Sequence, residues 1–240
     1  MHLPFTTAQF IAVFTGYNAA IGVAPLVAYS LAAATIYFTF RPGKWGDRFV
    51  SLALAAMWAF TGIGYHLMSF SRISPPARIF GVLFVVQAIL LAVEGLRGRL
   101  HFRFSARDFR SRTGIAITAF AMAIYPLIGM LSGHGYPNGP AFGVTPCPLA
   151  IFTFGMLLLT DRTLPKYLLA IPLVWALIGS TAALAFGIRE DAGLLVTGLI
   201  ATTALLARRS SARVTSAADS HSGRRGSGKG RATRGLAEER

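Results

Sequence analysis

Residues 78–96 read RIFGVLFVVQAILLAVEGL. Between Arg78 and Glu94 there is no charge, and Gln87 is the one polar side chain. A strand buried on both faces would run to about 4–8 residues, so this run is a helix. At about 1.5 Å per residue it matches a hydrocarbon core of roughly 30 Å. Comparable runs recur near 20–40, 50–70, 113–132, 146–160, 166–187 and 192–207. The fifth is the shortest, since only PLAIFTFGMLLL (148–159) is continuously apolar. Hydrophobic residues make up 54% of the 240-residue chain and charged residues 13%, against about 25% in an ordinary soluble domain. In lipid such runs must be helical, because nothing else satisfies the backbone. The expected fold is an all-α integral membrane protein with about seven transmembrane helices in a domain over 1–207.

Lysine and arginine favour the cytoplasmic side of a bilayer. With the N-terminus outside, the inner loops hold Arg41, Lys44 and Arg48, then Arg97, Arg99, Arg103, Arg107, Arg110 and Arg112, then Arg162 and Lys166. Adding the C-terminal tail places twenty basic residues inside and three, Arg72, Arg78 and Arg189, outside. The net charge of +14 is thereby explained as an orienting charge. The predicted site of residence is a membrane, with the N-terminus outside and the C-terminus cytoplasmic. Residues 208–240 are rich in Ser, Gly and Arg and hold no aromatic side chain. They read as a disordered basic cytoplasmic tail. With the inner loops, the tail would meet anionic lipid headgroups. Nucleic acid is disfavoured as a partner, because the tail has nothing to stack on bases.

At the start, MHLPFTTAQF lacks a basic n-region and a small-residue cleavage site, so no removable signal is expected. Thr6 and Gln9 have the spacing of a capping box, with Phe5 and Phe10 at the staple positions. Phe10, Phe14 and Tyr17 share one helical face. A short interfacial helix over 6–17 is expected, preceding the first span.

Two stretches echo each other. GVAP (22–25) and WAFTG (58–62) recur in order as GVTP (143–146) and WALIG (175–179). Spans 1–3 would then repeat as spans 5–7 with span 4 as linker, a 3+1+3 parallel pseudo-repeat. Sugar carriers of the SWEET type share that plan of spans, which is a likeness of plan and not of sequence.

The longest interruption, GHGYPNGPAFGVTPCP (133–148), carries Gly, Pro, His134, Tyr136 and Cys147, the sole cysteine. A single cysteine excludes an intramolecular disulfide and an all-cysteine metal site. Pro146 and Pro148 suit the first turn of a helix, where a missing N–H costs little. The topology places Asn18, His66, His134 and Tyr136 at the outer end, and these are the candidate ligand-binding residues. His66, His134 and Cys147 have the chemistry of a zinc or copper site but no supporting spacing. Glu94 reads as a local ion pair with Arg97 and Arg99, and Gln87 as a bond between helices. Trp58 and Trp175 are expected to pack on other helices. No GxGxxG, P-loop, HExxH or nucleophile motif occurs, so no catalytic residue, cofactor or enzymatic activity is assigned.

LPFTTAQFIAVFTGYN, GYHLMSFSRISPPA, GHGYPNGPAFGVTPCPLAIFTFG and WALIGSTAALAFGIREDAGLL together resemble an uncharacterised bacterial family of small membrane proteins, the domain of unknown function numbered six-zero-six-four. The resemblance covers roughly residues 1–207. Ser74 stands where the family pattern carries Asn, and GVTPCP is slightly longer than its counterpart. The resemblance implies a multi-pass protein of a bacterial inner membrane and supplies no mechanism. The functional reading is binding or transport of a small solute. The alternatives are a metal- or redox-linked membrane protein and a non-catalytic structural or accessory subunit.

Overall fold

The computed structural model describes residues 5–161, 164–186 and 191–207, with side chains left out at 182–186. The tail at 208–240, together with Arg162, Arg189 and Glu190, lies outside the described residues. Among the described residues the regular structure is helical, and an isolated antiparallel bridge joins Phe102 to Thr160. The helices are α1 (Thr7–Ile21), α2 (Ala24–Phe40), α3 (Lys44–Phe60), α4 (Ala77–Leu96), α5 (Phe109–Ala119), α6 (Tyr125–Leu131), α7 (Pro146–Leu158), α8 (Tyr167–Phe186) and α9 (Ala192–Ala207). Two contact-defined units divide the chain at Thr203; the described part of the second, 203–207, is helical.

Helix covers each of the seven expected segments, but their lengths differ. Three continuous helices, Lys44–Arg72, Ala77–Leu96 and Phe109–Leu131, are long and apolar enough to cross a membrane. The α1–α2 pair, bent by 79°, makes a fourth if counted as one span. The remaining apolar helices, Pro146–Leu158, Tyr167–Thr181 and Ala192–Ala207, are shorter. The 13 residues of α7 rise only about 20 Å.

At the N-terminus the capping box forms as its spacing requires. Thr6 accepts from the Gln9 N–H, and the Gln9 side chain accepts from the Thr6 N–H at 2.8 Å. Phe5 stacks on Phe10 at 5.9 Å. The helix runs further than 6–17, ending at Gly22, whose φ of 52° turns the chain into α2.

α4 is inverted relative to a soluble amphipathic helix. Ile79, Val82, Val86 and Ile89 face outward, whereas Gln87 and Glu94 are buried. α7 is buried along its whole length. Glycines allow its backbone to approach α5: a Cβ on Gly155 would stand 2.9 Å from the Gly114 carbonyl, and one on Gly114 would stand 2.8 Å from the Gly155 carbonyl. Trp58 Nε1 donates to Thr153 Oγ1 of α7 at 2.9 Å.

Two prolines deprive a carbonyl four residues earlier of its donor, and in each case another helix supplies a substitute. Pro172 lies inside α8, and Gln87 Nε2 donates to Leu168 O at 3.0 Å. Pro126 follows the π-helical segment Phe120–Ile124, and Tyr29 OH donates to Met122 O at 2.8 Å. Just ahead of α7, Val144 O accepts from Tyr17 OH of α1 at 2.7 Å.

The arginine-rich linker 97–108 is a clasp across one end of the bundle. Leu100 and Phe102 are buried. Asp47 Oδ1 accepts from Phe102 N at 2.8 Å, and Asp47 Oδ2 lies 3.0 Å from His101 Nδ1. Phe104 N donates to Thr39 O and Arg103 N to Leu159 O. Ser105 N donates to Ser111 Oγ. The ends of α2, α3, α5 and α7 are thus tied together. Glu94 forms its ion pairs with Arg97 (3.4 Å) and Arg99 (3.3 Å).

Candidate functional site

The opposite end is capped by residues 132–145. The cap is pinned to α1 by side chains the sequence places at the end of that helix. Asn18 Nδ2 donates to Pro137 O at 2.7 Å and to Gly139 O at 2.9 Å. Tyr136 OH donates to Asn18 O at 3.3 Å, and Thr15 Oγ1 to Asn138 Oδ1 at 2.9 Å. Gly133 and Gly143 turn the chain with φ of 82° and 72°. At Gly139 a side chain would collide with the His134 carbonyl.

Beneath the cap lies a cleft of about 410 Å³ between α2, α6 and the loop. Tyr29, Tyr125, His134, Tyr136 and Phe142 supply its aromatic lining. Met130, Pro25 and Pro126 add apolar surface. Phe142 is held by Tyr29 (ring centroids 4.6 Å apart) and by Phe152 of α7 (5.3 Å). His134 N is fixed by Gly129 O at 2.8 Å, and its buried Nδ1 has no protein partner. Few convergent polar groups on an apolar concavity of this size make a default ligand site.

Tyr125 and Pro140 line this cleft, and adjoining it is a second, smaller cavity of about 50 Å³. Pro140 lines both, and Tyr125 OH donates to Asp191 Oδ1 on the wall of the inner one. The inner cavity is walled by Phe5, Phe10, Phe14, Tyr65, Phe70 and Trp175, with Cys147 and Asp191.

The sequence candidates fall in different places. His134 and Tyr136 line the cleft, and Asn18 anchors the cap above it. His66 was expected at the watery end of its span. It lies instead in the bundle interior at 0% exposure, because the helix runs on through a π segment, Thr61–Ser69, as far as Arg72. His66 packs on Phe84 at 4.6 Å and Trp175 at 5.0 Å, and neither ring nitrogen has a partner. Cys147 lines the inner cavity, without His66 or His134 among the lining residues. Among the described residues no group of three His, Cys, Asp or Glu is placed to hold a metal ion. Trp58 and Trp175 both pack on Phe84, at 4.3 and 5.4 Å.

Tyr29, Tyr125 and the Tyr125–Asp191 bond were not assigned from sequence. The available signal was a tyrosine set directly before Pro126 within an apolar run, where the helix must open a carbonyl and widen. A family of unknown function is matched over residues 7–216. No curated protein and no solved structure matches the chain.

Proposed function

As the chain belongs to the family of unknown function DUF6064, whose description names no activity, we propose from its geometry that it is a multi-pass membrane protein that binds a small solute in the cleft beneath residues 133–145, as a step in transport. The observation that carries this reading is the cleft itself: about 410 Å³, aromatic, and roofed by a loop whose backbone carbonyls are bonded by Asn18. The membrane part is supported by the outward apolar face of α4 and by side chains that satisfy proline-freed carbonyls where water would otherwise serve.

In this reading all seven apolar segments lie within the bilayer, the shorter ones completed by flanking turns. The clasp end faces the cytoplasm, and the cleft faces out. Exposed Trp45 and Phe109, each with an arginine guanidinium 5.8 Å from its ring centre (Arg48 and Arg112), suit the headgroup level of an anionic leaflet. The 3+1+3 repeat is supported by one parallel. Gly62 approaches α4 at Phe84 and Gly81, and Gly179 approaches Leu194 of α9, so each W-A-x-x-G glycine meets the following helix.

The test is a thermal-shift screen of the purified full chain against small amines, sugars, amino acids and carboxylates. At least one solute should stabilise the protein saturably, and His134→Ala should abolish that shift while Val86→Ala, on the outward face of α4, keeps it. No saturable shift from any solute, or a shift indifferent to His134→Ala, would contradict the proposal.

A further inference from the structure

We infer that the small cavity behind the cleft is a binding site for a small organic cation of the methylated-ammonium class, so that cleft and cavity are the outer and inner chambers of one site. This rests on the solute-binding reading of the cleft and gives it a substrate class. Six aromatic rings and one carboxylate, Asp191, wall the cavity, and among the described residues no lysine or arginine lines it. The rings hold one another in place. Phe10 meets Phe14 at 5.1 Å and Phe70 at 5.7 Å, Phe5 meets Phe70 at 5.5 Å, and Phe14 stacks on Tyr65 at 5.3 Å. Preset ring positions lower the ordering cost of binding.

The chemistry selects the charge. Aromatic faces are negative and attract a desolvated cation, quaternary ammonium above all. A carboxylate on the same wall adds Coulombic attraction that low dielectric strengthens. An anion would meet repulsion from both, and a neutral apolar molecule would gain nothing from Asp191. Size is limited as well. A water needs about 10–15 Å³ of such space, so 50 Å³ takes about three to five heavy atoms. The two spaces adjoin: Tyr125 lines the cleft and donates to Asp191 of the cavity, and Pro140 lines both.

The experiment is isothermal titration of the full chain in dodecyl maltoside, a sugar detergent free of ammonium groups, at pH 7. The probes are trimethylammonium and tert-butanol, a neutral molecule of similar bulk. Trimethylammonium should bind saturably and tert-butanol should not. Asp191→Asn keeps an acceptor oxygen for Tyr125 and should weaken binding at least tenfold. Phe10→Leu keeps apolar bulk without the ring face and should weaken it several-fold, which serves as the readout if Asp191→Asn does not fold. No saturable trimethylammonium binding, equal binding of tert-butanol, or undiminished binding in the folded variants would overturn the assignment. If a screened solute binds and responds to His134→Ala while trimethylammonium does not bind, the cation assignment alone falls. If nothing binds, the cleft reading falls with it.

Discussion

Gln87→Met, made with and without Pro172→Ala, tests whether side chains stand in for the donors that prolines remove. Pro172 has no N–H for Leu168 O, and Gln87 Nε2 supplies the bond at 3.0 Å from a fully buried side chain. Methionine keeps the length and removes the donor. A buried carbonyl left unpaired costs about 1–3 kcal/mol. Interhelical bonds within membranes have measured about 0.6 kcal/mol on average and about 1.7 at most. Gln87 Oε1 is itself buried without a partner, so losing the amide returns part of the cost. The expected loss is therefore about 1 kcal/mol in the otherwise unchanged protein. With alanine at 172 the restored N–H reaches Leu168 O along the helix, and Gln87→Met should cost nothing or stabilise slightly. Equilibrium unfolding in mixed micelles of mild detergent and dodecyl sulfate gives the four free energies of the cycle. A cost that is the same in both backgrounds would refute the compensation.

Gly155→Ala should destabilise the α5–α7 contact by about 1–3 kcal/mol, read by the same unfolding assay, because its Cβ would meet the Gly114 carbonyl at 2.9 Å and the Thr118 nitrogen at 2.9 Å. Asp47→Ala strips the partner from the buried Phe102 N–H and from His101. It should cost about 1–3 kcal/mol and speed proteolysis within 97–108. Gly139→Ala drives a side chain into the His134 carbonyl, so the cap should reorganise and solute-induced stabilisation should be lost, with a smaller effect on the melting temperature of the empty protein.

The positions of the helices were legible because apolar runs such as 78–96 and the Thr6–Gln9 box are local signals. The cap was legible in outline, since so many glycines and prolines between apolar runs exclude helix. One omission and one misreading have physical causes. The linker 97–108 was noted for its arginines alone, yet Leu100, Phe102 and Phe104 alternate, which is the two-residue period of an extended segment with one buried side. His66 was placed at a helix end because hydropathy falls there, whereas the π segment carries the helix onward and turns the imidazole into the core. The inner cavity was beyond sequence reach. Its walls come from the N-terminal segment, the π segment, α7, α8 and Asp191, and only tertiary packing joins Phe5 to Trp175.

The account centres on a bilayer-spanning bundle whose capped cleft faces outward and whose clasp faces the cytoplasm. Cysteine accessibility in intact cells addresses it most directly, in a Cys147→Ala background that leaves no other thiol. Asn138→Cys reports on the cap, and Trp45→Cys, at a position 81% exposed, reports on the clasp end. A membrane-impermeant maleimide should label position 138 in intact cells and position 45 only after permeabilisation. The reverse pattern would invert the orientation, and labelling of both positions in intact cells or extraction of the protein by alkaline carbonate would contradict the spanning bundle.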